Sequence, residues 1–155
     1  MAVKVTLDLA PGWTNNISLP RVIPTSVHGV LDYLTGATLL SAPELLRLKD
    51  VPPSALVPRL AGAGATAYSL VTDYELGAKR IVPMPVHLML DATSGALLAA
   101  SPWLFGSAKN GTRYWLPHAL VGLFEMLAAG TTKTQPSYYE VKPGPVGRVR
   151  SLLGV

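Results

Sequence analysis

The chain has 155 residues, only 14% of them charged, and a mean hydropathy of +0.34. Ordinary soluble domains carry about 25% charged residues, so this composition points to a membrane protein. The net charge of +4 is spread through loops and tails without forming a patch, which sets nucleic acid aside in favour of contact with anionic lipid headgroups. With no cysteine, a disulfide framework, a thiolate metal site and a thiol nucleophile are all excluded.

In chain order, residues 1–22 read as an extramembrane tail. They open MAVKVTLDLAPGW, which lacks the apolar run of a cleaved signal peptide, and Val3, Val5, Leu7 and Leu9 alternate with polar residues at the period of a half-buried strand. Four apolar stretches follow, near 24–46, 55–75, 81–105 and 114–132, each close to the ~20 residues that cross a ~30 Å hydrocarbon layer. Their connections are short. Pro52-Pro53 breaks one helix and starts the next, a turn lies around Glu75 to Arg80, and Asn110-Gly111 marks the third. Sequential helices joined this way are antiparallel neighbours in a bundle. Residues 133–155 form a second tail, rich in Pro and Gly and carrying Tyr138-Tyr139.

The stretch from Ile23 to Leu46 repeats 59 residues later as Val82 to Phe105. Without a gap, the two copies agree at Pro24/Pro83, Val27/Val86, His28/His87, Leu31/Leu90, Asp32/Asp91, Gly36/Gly95, Ala37/Ala96, Leu39/Leu98, Pro43/Pro102 and Leu45/Leu104. Val57-Pro58-Arg59 stands in the same relation to Leu116-Pro117-His118, so the repeated unit is a helical hairpin, used twice in parallel orientation. This divides the chain into a tail (1–22), a first hairpin (23–78), a second hairpin (79–132) and a tail (133–155). The tails are expected to pair with each other, to lie on the membrane surface, to dock on another subunit, or to be partly disordered ends.

Ser101-Pro102-Trp103 closes the first helix of the second hairpin, with Ala42-Pro43-Glu44 as its degenerate counterpart. Its place in a repeated hairpin resembles the SPW-repeat family of small bacterial membrane proteins, over roughly residues 23 to 132. The resemblance implies transmembrane hairpins and no particular activity. Physically, the proline loosens the last turn, Ser101 satisfies a freed backbone group, and Trp103 is an amphipathic anchor at headgroup level, as are Trp13 and Trp115.

Residues four apart share a helix face, so His28 with Asp32, and His87 with Asp91, point the same way and lie at the same depth. Thr72, Asp73 and Tyr74 are expected at that end of the second helix. A carboxylate inside a span has to face the bundle and find a partner. The structural reading pairs each Asp with its own His or with a hydroxyl of a neighbouring helix, the glycines allowing close approach. Two functional readings stand beside it. His28, Asp32, His87 and Asp91 suit a divalent metal of the Zn, Fe or Mn type, or the two histidines ligate one haem. A proton or ion path through Asp32, Asp91 and Glu125 is a third. Glu125 shares a face with His118 and is expected to pair with Arg59. Ala61-Gly62-Ala63-Gly64-Ala65 reads as a small-residue packing face and not as a phosphate loop.

The expectation is therefore an all-α protein of four transmembrane helices in two tandem hairpins, sitting in a bacterial inner membrane. Eight basic residues on the side of the termini against five on the other place both termini in the cytoplasm. Function is read as non-catalytic, a structural or accessory subunit of a larger membrane assembly, for which a respiratory or photosynthetic complex is a conceivable host. The partners are the bilayer and other subunits or further copies, with no cofactor expected. A metal- or haem-binding redox protein and a small proton or ion transporter are the alternatives.

Overall fold

The computed structural model describes residues 19–139. Four α-helices make up most of this range: α1 (Thr25–Leu45), α2 (Pro52–Leu70), α3 (Met84–Leu104) and α4 (Leu116–Thr131). Three short 3-10 turns complete it, at Ser107–Asn110, Thr112–Tyr114 and Ser137–Tyr139. There is no strand among the described residues, only isolated bridges between Ile23 and Thr132 and between Thr72 and Val82. The alternating segment at Val3 to Leu9, Trp13 and most of the second tail lie outside the described residues.

Prolines set the helix starts. Pro24 and Pro83 stand at the N-caps of α1 and α3 in extended conformation, while Pro52-Pro53 and Pro117 occupy first-turn positions where a missing N–H costs nothing. Pro52-Pro53 belongs to α2 itself, which therefore begins earlier than its apolar stretch. The helix also ends earlier, at Leu70 and not near residue 75. Residues 71–82 turn back on it, so that Ala78 N and Lys79 N donate to the Leu70 carbonyl and Val82 N to that of Val71, and those bonds replace the helical ones.

At the opposite end, α1 and α3 stop alike, each with a residue in the left-handed region just past the C-cap. In α3 this is Gly106 (φ 71°) and in α1 it is Arg47 (φ 53°), 59 residues earlier. Glycine takes this conformation without strain, and arginine does not.

Packing is strongest within each hairpin, α1 on α2 and α3 on α4, with α2 meeting α3 between them. Glycine pairs allow the close approach. A Cβ on Gly62 would stand 2.8 Å from the Gly36 carbonyl oxygen, and one on Gly122 would stand 2.3 Å from that of Gly95. Gly64 has open space around it, so only part of the Ala-Gly run is a packing face.

The distribution of side chains is inverted relative to a water-soluble bundle. The apolar core among the described residues is small, with Tyr74, Met84, Leu88 and Ala129 packed beside Leu76 and Ala92. Buried positions elsewhere are largely small or polar, whereas Leu34 is 60% exposed, Leu60 63%, Leu97 59% and Leu127 59%. No helix among the described residues is long and apolar enough to cross a membrane. The polar inward faces of α1 to α3 lower their average hydropathy, and α4 has only 16 residues.

Candidate functional site

The two hairpins close on each other through His28, Asp32, His87 and Asp91, all buried. Each His–Asp pair sits on the inward face of its helix, within the first two turns, and the parallel repeat brings the pairs to one level. His28 Nε2 lies 2.8 Å from Asp91 Oδ2 and 3.3 Å from Asp32 Oδ1. His87 Nε2 lies 3.1 Å from Asp91 Oδ2 and 3.1 Å from Asp32 Oδ2. The two Nε2 atoms are themselves 3.3 Å apart, with the rings edge to face. Each histidine thus meets both carboxylates, and the shortest contact crosses from one hairpin to the other.

Hydroxyls surround this centre. His87 Nδ1 is 2.8 Å from Thr72 Oγ1, and His28 Nδ1 is 2.9 Å from Thr132 Oγ1. The exchange is crosswise, since Thr72 closes the first hairpin and Thr132 the second. Both hydroxyls already give their proton to a backbone carbonyl, Thr72 to Tyr68 O at 2.7 Å and Thr132 to Ala128 O at 2.6 Å. They can therefore only accept from the imidazoles, which fixes the hydrogen on Nδ1 in both histidines and turns the Nε2 positions inward. Tyr68 donates to Asp91 Oδ1 at 2.6 Å, while Tyr74 and Ser69 donate to Asp32 Oδ2 at 3.2 and 3.4 Å.

A cap of loop and chain end covers the cluster. Ile23 N donates to Thr131 O and Lys133 N to Ile23 O, tying residues 132–139 to the start of α1. Glu75 accepts from Thr25 Oγ1 at 2.6 Å and from Ser137 N and Oγ at 2.9 and 2.8 Å. Burial works to raise the carboxyl of Glu75, but these three donors hold it below its ordinary value. Asp73, expected inside the bundle, instead lies in this cap and accepts from Tyr138 and Tyr139, with Arg80 stacked over the Tyr138 ring.

The remaining polar residues are placed apart. Glu125 is buried on α4 with His118 and Gly122, next to the cluster across a cavity of about 20 Å³ bounded by His28, Asp32 and Asp91. Its neighbour is Ser94 Oγ at 3.4 Å, and the expected partner Arg59 is elsewhere. Arg59 swings to the far end of the bundle and bonds Glu44, which also pairs with Lys49 at 2.9 Å. Its long stem lets the charged head leave the helix packing altogether. His118 is buried beside a cavity of about 140 Å³ lined by Leu39, Pro58 and Pro117. It stands near the Ser54 carbonyl that Pro58 deprives of a helical donor, yet neither ring nitrogen reaches hydrogen-bond geometry.

The Ser-Pro-Trp segment has a structural explanation. Pro102 cannot donate to the Leu98 carbonyl four residues back, and Ser101 Oγ donates to that oxygen at 2.7 Å. Pro102 is buried, as is Pro43, while Trp103 faces out and packs against Trp115 with ring centroids 5.7 Å apart.

Sequence reasoning found the four central residues along with Thr72 and Tyr74, and missed Tyr68, Ser69 and Thr132. One signal was available for the last: Thr72 and Thr132 each follow the second helix of a hairpin, 60 residues apart.

Fold and site together define a four-helix protein of two tandem hairpins, joined at a shared His–Asp centre. The chain belongs to the SPW repeat domain family, whose model matches residues 26–132. No curated protein and no solved structure matches it.

Proposed function

We propose that this chain is a multi-pass protein of a bacterial inner membrane and serves as a non-catalytic subunit of a larger membrane assembly. The observation that carries the membrane reading is the inverted side-chain distribution. Leucines ring the outside of all four helices, while His, Asp, Glu, Ser and Thr are turned on one another inside. In water such a surface would be an aggregation hazard; in lipid it is the stable arrangement. Helices α1 and α3, at 21 residues, are about 31 Å long, the thickness of the hydrocarbon layer. Trp103 and Trp115 then fall at one headgroup level. The subunit role is supported less directly, by a cap that presents Tyr139 and the basic side chains of Lys79 and Arg80 outward.

Resistance of the membrane-bound protein to alkaline carbonate extraction tests insertion. A reporter active only in the cytoplasm is expected to work at either terminus and to fail within 106–113; the reverse pattern overturns the orientation, and release by carbonate overturns insertion. Mild detergent extraction tests the subunit role: a companion protein in fixed ratio is expected, and a chain that is always alone and monodisperse contradicts it.

A further inference from the structure

We infer that His28, Asp32, His87 and Asp91 form a four-ligand site for a divalent transition ion of the zinc or ferrous type. The inference rests on which atoms are brought together. Thr72 and Thr132 spend their hydroxyl protons on backbone carbonyls, so each imidazole keeps a hydrogen on Nδ1 and turns Nε2, the nitrogen left for a ligand, to the centre. The two Nε2 atoms, 3.3 Å apart, face each other and two carboxylates. With Nε2 unprotonated in both rings, two nitrogens and two carboxylates offer electron pairs to one cation placed among them.

Two buried carboxylates call for compensating charge, which protons or a metal ion can supply. Protons on the histidines would be received by the carboxylates, His28 Nε2 standing 2.8 Å from Asp91 Oδ2 and His87 Nε2 3.1 Å from Asp32 Oδ2. One divalent ion supplies the same charge at the centre and is bound by both nitrogens and both carboxylates at once.

The dimensions agree. An ion with bonds of 2.0–2.2 Å to nitrogen and oxygen, held tetrahedrally, separates its ligand atoms by about 3.3 Å. Here the His–His separation is 3.3 Å, Asp91 Oδ2 stands 2.8 and 3.1 Å from the two Nε2 atoms, and Asp32 reaches His87 with Oδ2 at 3.1 Å and His28 with Oδ1 at 3.3 Å; taking one atom from each residue, the set lies within 4.8 Å. Two imidazoles in a four-coordinate set select a borderline transition ion over Mg²⁺ or Ca²⁺, which take six or more oxygens. The outer partners are also those of a metal site. Each ligating ring donates its other nitrogen to a fixed acceptor, and Tyr68 orients Asp91 through the oxygen turned away from the centre.

The test uses the full-length protein in mild detergent, stripped with a chelator and titrated separately with Zn²⁺, Fe²⁺ and Co²⁺. One ion per chain is expected, and Co²⁺ is expected to give the intense visible bands of a tetrahedral centre. His28→Ala and His87→Ala should each weaken Zn²⁺ binding at least about 100-fold, and Thr72→Val and Thr132→Val about 10- to 100-fold. His118→Ala, which alters the chain's third histidine, should leave stoichiometry and affinity unchanged. If a His variant fails to fold, the two Thr variants and the wild-type Co²⁺ spectrum decide. A wild type that binds no stoichiometric ion overturns the site, as does binding that survives both Thr substitutions unchanged or that disappears with His118.

Discussion

The two hairpins contribute equally to the centre of the cluster and unequally to what surrounds it. Each supplies one His and one Asp, four residues apart, and each supplies the threonine that fixes the other's imidazole. Beyond that the balance shifts. Tyr68, Ser69 and Tyr74, which hold the two carboxylates, all come from the first hairpin and its loop, and where the second hairpin has Glu125 the first has Thr66. A repeat constrains the residues that meet at the shared axis, since there each copy is the other's environment. Away from the axis each copy adapts to its own surroundings.

The carboxylates give the largest test of that contrast. Asp91 has the short contacts, 2.6 Å to Tyr68 and 2.8 Å to His28, whereas the contacts of Asp32 run from 3.1 to 3.4 Å. Asp91→Ala should cost about 3–5 kcal/mol, because it leaves charged and polar partners buried without an acceptor. Asp32→Ala should cost about 1 kcal/mol less. Thermal unfolding in detergent measures both. Equal losses would mean that the lopsided outer shell has no energetic weight.

Next in size are the glycines. Gly122→Ala drives a Cβ to 2.3 Å from the Gly95 carbonyl and to 2.7 Å from Ala99 N, which the backbone can relieve only by separating α3 from α4. A loss of about 2–3 kcal/mol is expected, and Gly62→Ala should cost less, its nearest contact being 2.8 Å. Gly64→Ala meets nothing within 4 Å and should gain up to about 1 kcal/mol in helix propensity. The same unfolding assay ranks the three, and a neutral Gly122→Ala would contradict the close pairing of the second hairpin.

Smaller effects are expected at the far ends of α1 and α3. Ser101→Ala removes the hydroxyl that serves the Leu98 carbonyl and should cost about 1 kcal/mol; Ala42→Ser, which gives the first hairpin the same device, should recover part of that amount. Arg47→Gly replaces a strained left-handed residue with the one its counterpart Gly106 already uses, and a gain of about 1 kcal/mol is expected. If Arg47→Gly destabilises, the two ends are not equivalent.

How much of this was legible in the sequence follows from the range of the interactions. Helix starts were visible because proline acts locally, and the His–Asp pairs were visible because a repeat displays them twice. The end of α2 was not, since Val71 and Leu76 continue the apolar pattern while the termination is made by backbone donors from residues 78 and 79. Asp73 was misplaced for the same reason, as a helix to residue 75 would have carried it inside. The pairing of Arg59 with Glu125 failed because a shared helix face does not fix where a long side chain ends, and Glu44 lay within reach on α1. Tyr68, Ser69 and Thr132 act on residues 23 to 104 positions away, a relation no local pattern carries.

The central claim is that the two hairpins meet in one shared cluster, and a double-mutant cycle between His28 and Asp91 tests it most directly. These residues belong to different copies, 63 positions apart, and are in contact at 2.8 Å. Unfolding of the wild type, His28→Ala, Asp91→Ala and the double variant in the same detergent should give a coupling of about 1–3 kcal/mol, the double variant losing much less than the sum. Losses that add within about 0.5 kcal/mol would mean that each hairpin satisfies its own His and Asp, and would contradict the account.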